Sequence, residues 1–331
     1  MKRIFSAFFA LTIIASLLCR NVAPTKAEAA KQLSIVTTIF PEYDWVRQIL
    51  GDKFSDSDVT MLLDNGVDLH SYQPTVDDIV KIATCDLFIY VGGESDSWVE
   101  DALKHSVNKD MKVINLLEVL GDSVKAEETV EGMQETAHDH DEDDEDDDHE
   151  EHEEEKDEHV WLSLRNASFF CQAITDALCD LNPGKADEYR ANLAAYQQQL
   201  NALDVQYQQA VSAASQHTIV VCDRFPFRYL VEDYNLNYYA AFPGCSAETG
   251  ASFETVVFLS NKVKELNLSA LLVTESSDGR MAKTVAENAG NEQMPVLTLN
   301  SMQSVSAEQA KTLSYLSVMT ENLTVLQQAL S

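Results

Sequence analysis

KADEYRANLAAYQQQLNALDVQYQQAVSAA, from Lys185 to Ala214, contains no glycine or proline and is dominated by Ala, Leu, Gln and Tyr. That composition predicts a single helix of about 30 residues, roughly 45 Å long. A helix of that length runs the height of the molecule, and what flanks it decides the fold. Upstream, strand and helix signals alternate: an apolar β-branched run from Leu33 to Phe40, a helix opened by Pro41 and running to Leu50, a strand from Asp58 to Leu63, and a helix from Pro74 to Thr84. A buried strand from Asp86 to Gly92, a helix from Ser97 to Ser106, a strand from Met111 to Leu117 and a helix from about Asn166 to Leu181 follow. Downstream the alternation resumes, with strands at Thr218–Cys222, Tyr238–Phe242, Ala270–Thr274 and Val296–Leu299. Helices begin at Phe227, Phe253, Gly279 and Ala307. Alternation of this kind builds parallel sheets. The expected fold is therefore α/β, with two lobes, each a parallel sheet flanked by helices, joined by one long backbone helix. The divisions are 31–184, 185–214 and 215–331. In open parallel sheets ligands sit beyond the carboxyl ends of the strands, so the residues just after each strand are the candidates for chemistry.

One segment of the first lobe, the loop 118–158, stands apart in composition. Between Asp139 and Glu158 it carries sixteen acids, His140, His149 and His152, and a single lysine, and so accounts for −15 of the net charge of −32. The run is too polar to bury anything and reads as a solvated loop. An acidic run is ordinarily just a self-repelling solvated stretch. Interspersed imidazoles point instead to metal capture, with His140, His149 and His152 as accessory groups. Nothing in such a tract fixes ligand geometry, so a selective site must lie elsewhere. The remainder of the chain is acidic too, which argues against nucleic acid and anionic membrane surfaces as partners and favours cations.

Residues 1–30 read as an export signal: Lys2 and Arg3, an apolar stretch from Ile4 to Leu18, and small residues around Ala27, Ala29 and Ala30. Cleavage near Ala29 and lipidation of Cys19 are both open. Either way the mature protein is expected outside the cytoplasmic membrane, in a periplasm or at the cell surface. The six cysteines contain no CxxC pair. Cys222 and Cys245 could form a disulfide, whereas Cys171 and Cys179, eight apart on one helix, lie about 12 Å apart along its axis and cannot.

Two histidines stand where chain geometry can hold them. His70 lies in the Gly66-bearing loop after the second strand, and His159 ends the acidic run against the apolar Val160-Trp161-Leu162. A lone loop histidine is more often an ordinary surface residue. His159, pinned by apolar neighbours, has the fixed geometry that the histidines of the run lack.

Three stretches, His70-Ser71-Tyr72-Gln73-Pro74-Thr75, Asp86-Leu87-Phe88-Ile89-Tyr90-Val91-Gly92 and Glu158-His159-Val160-Trp161-Leu162-Ser163, resemble the motifs of the solute-binding proteins of zinc and manganese ABC importers. The resemblance covers the mature chain. It implies a two-lobed receptor that binds the metal between its lobes and delivers it to a membrane permease, with His70 and His159 as the first two ligands. The second lobe departs from the pattern. Where the family has a third histidine, alignment on Phe227-Arg228-Tyr229 puts Arg224, which has no lone pair to give. Asp223 beside it is the candidate ligand, set against a role as a strand-end residue. The family's fourth ligand falls on Asn300, a poor zinc donor. Glu275, just after the strand Ala270–Thr274, is the remaining carboxylate, with helix capping as its ordinary role. Glu248 is a lesser cleft candidate, and Cys245 is placed equally to bridge Cys222 or to bind.

Imidazoles plus carboxylates favour Zn2+ over Mn2+. Binding is expected to weaken as pH falls through the imidazole range. The expected partners are the metal ion and the permease, with the receptor itself a monomer. Alternatives keep the fold but bind a metal chelate or anion through Arg224, or make the chain an extracellular metal buffer or adhesin. A hydrolase finds no support, since neither HExxH nor GxSxG occurs.

Overall fold

A computed structural model describes residues 32–134, 155–246 and 250–331. The expected signal segment with Cys19, the histidines His140, His149 and His152, and Glu248 lie outside the described residues.

The elements run β1 (Ser34–Thr37), α1 (Phe40–Leu50), β2 (Asp58–Met61), α2 (Val76–Thr84), β3 (Leu87–Tyr90), α3 (Trp98–Lys104), β4 (Lys112–Asn115), α4 (Leu116–Leu120), α5 (Leu164–Leu181), α6 (Ala186–Ala213), β5 (Thr218–Phe225) and α7 (Arg228–Tyr234). They continue through β6 (Asn237–Pro243), α8 (Phe253–Leu266), β7 (Leu271–Val273), α9 (Arg280–Asn288), β8 (Val296–Thr298), α10 (Ala307–Ala310) and α11 (Tyr315–Ala329). Two four-stranded sheets result, ordered β2-β1-β3-β4 and β6-β5-β7-β8, and every pairing is parallel. The 28-residue α6 turns Tyr189, Leu193, Tyr196, Leu200, Leu203, Tyr207 and Val211 inward, the three-and-four spacing of an amphipathic helix. It packs on α1 and α5 of the first lobe and on α7 and α11 of the second. One hydrophobic cluster therefore includes residues of both sheets, while a smaller one, around Leu259, Val263, Leu271 and Val285, covers the other face of the second sheet.

Several elements differ from expectation. β1 is shorter than the run Leu33–Phe40, because Ile39 and Phe40 stay buried while the chain turns into α1. Hydrophobicity alone cannot separate a strand end from the helix start behind it. The C-terminal helix is broken into α10 and α11. Arg47 of α1 donates to the freed carbonyls of Ala310 and Leu313, and Asp44 accepts the N–H of Tyr315, so an ion pair on α1 replaces the missing helical bonds. The acidic segment is also not loop throughout. Lys125–Glu127 and Glu155–Asp157 pair antiparallel, and Gln134 donates to the carbonyl of Ala241 on the edge strand β6. The ends of the run are thereby fastened to the second lobe. Among the described residues no helix is long and apolar enough to cross a membrane.

Candidate metal centre

His159 is fully buried, at the head of a short 3-10 turn, Val160–Leu162, whose side chains are all buried. Trp161 locks that turn, its Nε1 donating to Ser301 O at 2.8 Å while its carbonyl accepts from Tyr315 Oη at 2.7 Å. Asp157 Oδ1 accepts both the backbone N–H of His159, at 2.9 Å, and its ring Nδ1, at 3.0 Å. A carboxylate on Nδ1 holds the proton there and leaves the Nε2 lone pair facing outward.

His70 lies on a 3-10 turn, Leu69–Ser71, anchored by buried Leu69 and capped by Asp68, whose Oδ1 accepts the His70 N–H at 3.0 Å. Its Nδ1 is 2.7 Å from Ser95 Oγ, and the backbone N–H of Ser95 donates to Glu158 Oε1 at 2.9 Å. Burial, helped by the neighbouring His159, pushes the His70 imidazole down to about 3. The ring is therefore held well below pH 6 in its neutral form, the one that has a lone pair to give.

The two Nε2 atoms stand 3.1 Å apart. At Zn–N distances of about 2.0–2.1 Å, two corners of a tetrahedral site lie roughly 3.3 Å apart. The pair is thus close to the separation that a shared ion requires. Without an ion the Ser95 hydroxyl, which can donate or accept, allows His70 Nε2–H to donate to His159. Cys245 joins them: ligand atoms of His70, His159 and Cys245 all lie within 4.8 Å of one another, the one such His/Cys/Asp/Glu group among the described residues. A cavity of about 510 Å³ opens onto this group, lined by His70, Glu94, Ser95, Glu155, Glu158 and Cys245.

The model of the zinc-uptake complex component A periplasmic family matches residues 35–329. The chain belongs to this family. Among curated zinc-uptake relatives, the high-affinity zinc uptake system protein ZnuA of Bacillus subtilis is 30% identical over 94% of this chain and 92% of its own length. The zinc-binding lipoprotein AdcA of Streptococcus pneumoniae is 30% identical over 99% of this chain, and AdcA of Streptococcus pyogenes serotype M6 is 29% identical over 90%. The chain spans only 61% and 56% of those two proteins. The solved Zn(II)-bound ZnuA-like domain of Streptococcus pneumoniae AdcA superposes with a TM-score of 0.68 at 28% identity, covering 91% of this chain and 99% of that one. The metal-dependent lipoprotein YcdH of Bacillus subtilis gives 0.71 at 27%, covering 90% and 99%.

In this member of the zinc-uptake family the carboxylates expected to complete the site are occupied elsewhere. Asp223 accepts from Thr274 Oγ1 at 2.8 Å and from the N–H of Arg224, tying the end of β5 to the end of β7. Glu275 accepts from the N–H and hydroxyl of Ser301 and from the N–H of Gln303, fastening the loop after β8. Neither joins the His70–His159 group. Asn300 is likewise structural: its Oδ1 accepts from Met302 N–H, holding Met302 at a φ of 62°, and its backbone pairs with Asn322. Arg224 is not free to take an anion, because its guanidinium pairs with Asp68 at 2.6 Å. Burial alone would raise the Asp68 carboxyl, but the guanidinium outweighs it and holds the group below its usual range. A separate cavity of about 540 Å³ lies at the ends of β5 and β7, lined by Asp223, Arg224, Ser276, Asp278 and Arg280. It contains neither histidine. Cys222 and Cys245 are not bridged: Cys222 is buried in the core of the second lobe, while Cys245 faces the histidines.

Sequence reasoning missed the residues that aim the ligands. Ser95 and Gln303, whose side-chain amide is 3.0 Å from His159 Nε2, carry no local signal. Asp157 did: an Asx two residues before a ligand histidine can hydrogen-bond its backbone.

Proposed function

We propose that the chain is the extracytoplasmic receptor of an ABC zinc importer. It takes zinc as cargo between His70 and His159 and passes it to a membrane permease. The observation that carries this reading is the pair of buried imidazoles, Nε2 to Nε2 at 3.1 Å, each backed on Nδ1 by an oxygen partner. Such backing orients imidazoles toward a metal and raises their basicity. Family membership and similarity to proteins named as zinc-binding support the same ion, and the lipoprotein relatives support lipidation at Cys19. The chelate reading through Arg224 loses its main support, since Asp68 engages that guanidinium. The arrangement binds and releases rather than transforms, so no enzymatic role is assigned.

Calorimetry with zinc on chelator-stripped protein should give one tight site, lost in the His70→Ala, His159→Ala double variant. Tight binding retained by that variant would sink the site.

A further inference from the structure

We infer that Cys245 supplies a thiolate as the third protein ligand, in place of the histidine whose position Arg224 occupies, and that this thiolate sets the preference for zinc over manganese. The inference rests on the zinc-receptor reading and specifies its donor set.

Three features bring Cys245 to the histidines. β6 ends in Pro243, and at Gly244 an added Cβ would fall 2.9 Å from His159 Cε1 and 2.9 Å from Phe225 O. Only glycine lets this segment run so close to the ligand ring. The N–H of Cys245 then donates to Glu127 Oε1 at 2.7 Å, so the strap leading into the acidic run fixes the cysteine from the other side. Finally, the thiol lines the same cavity as His70 and Glu158. Glu158 presents a buried Oε2 with no hydrogen-bond partner, 3.7 Å from His70 Nδ1. An acidic oxygen buried without a partner beside the cluster favours a cation there.

Among the described residues, no other candidate competes for the third position. Asp223 and Glu275 hold loop N–H and hydroxyl groups, Arg224 holds Asp68, and Asn300 holds Met302. Two imidazoles and a thiolate make a soft set of two nitrogens and one sulfur, which suits zinc and disfavours the harder manganese, whose preferred donors are carboxylates and water. Binding is balanced by one proton: Zn2+ displaces H+ from the thiol, the Zn–S bond forms from the sulfur lone pair, and the proton leaves to solvent.

Cobalt(II) as a probe ion tests this directly, because a cobalt–thiolate bond adds a charge-transfer absorption in the near ultraviolet that imidazole and oxygen ligands do not produce. Cobalt-loaded wild type and Cys222→Ser should show the band, and Cys245→Ser and Cys245→His should lack it. Zinc-over-manganese preference, from competition calorimetry, should fall in Cys245→Ser by at least the roughly 10–100-fold that loss of a metal-site partner costs, and Cys245→His should recover zinc affinity. Wild type that binds zinc and cobalt tightly without the band, or an unchanged preference in Cys245→Ser, overturns the thiolate assignment and leaves the receptor reading standing. Wild type that binds neither ion overturns both.

Discussion

Arg224 of the second lobe donates to Asp68 Oδ2 at 2.6 Å, while Asp68 Oδ1 accepts the backbone N–H of His70 at 3.0 Å. The residue standing where the family resemblance places a ligand thus grips the loop that carries another ligand. Arg224→Met should leave the Asp68 charge unpaired in a partly buried site and cost about 1–3 kcal/mol of unfolding free energy. In urea titrations Asp68→Asn should cost less in the Arg224→Met background than in wild type. Additive costs would mean that the two residues are not coupled.

Asp157 should matter to zinc more than to folding. Asp157→Asn removes the carboxylate that keeps the proton on His159 Nδ1. Zinc affinity should drop about 10–100-fold, with metal-free thermal stability shifted far less in proportion. Calorimetry beside a thermal melt separates the two effects.

Glu275 should behave in the opposite way. Its oxygens receive the N–H groups of Ser301 and Gln303 and the Ser301 hydroxyl. Glu275→Ala should lose about 1–3 kcal/mol of stability yet keep one zinc per chain. Loss of the zinc stoichiometry in a folded variant would restore Glu275 as a ligand.

Stability of the metal-free protein should depend on pH through groups of opposite sign. His70, pushed down to about 3, contributes stability that is full above its ordinary 6.5 and is lost as pH falls toward 3. Glu42, raised to about 8 by burial and then by Asp96, contributes stability that is full below its ordinary 4.5 and is lost as pH rises through 8. Asp96, raised to about 7 by burial, acts in the same sense. Glu42→Gln should therefore flatten the decline between pH 5 and about 8 in denaturant unfolding. A tenfold difference in proton affinity between the folded and unfolded states corresponds to about 1.4 kcal/mol. An unchanged slope would show that Glu42 is ionised in the fold at neutral pH.

Removal of residues 139–154 should leave one tight zinc site, because the ligands and the paired stretches Lys125–Glu127 and Glu155–Asp157 remain. Extending the deletion through Asp157 should weaken zinc binding by the factor expected for Asp157→Asn. Loss of all binding in the shorter deletion would favour the buffer reading.

Periodicity, composition and breaker residues sufficed for the architecture: two alternating α/β halves around an uninterrupted amphipathic helix, because these are local properties written at fixed spacing along the chain. Of the first two candidate ligands, His159 was legible locally, since it abuts the buried Val160 that pins the loop, whereas His70 was picked out only by the family resemblance. The third side of the centre was not legible. Whether Asp223, Glu275 or Cys245 faces the histidines depends on which hydrogen-bond donors surround each carboxylate, and those donors, Thr274, Ser301 and Gln303, come from other strand ends. Folding committed both carboxylates to loop closure and left the thiol of Cys245 beside two imidazoles that lie 175 and 86 positions earlier in the chain. Spacing along a chain carries no information about contacts of that range, so only the packed structure could decide them.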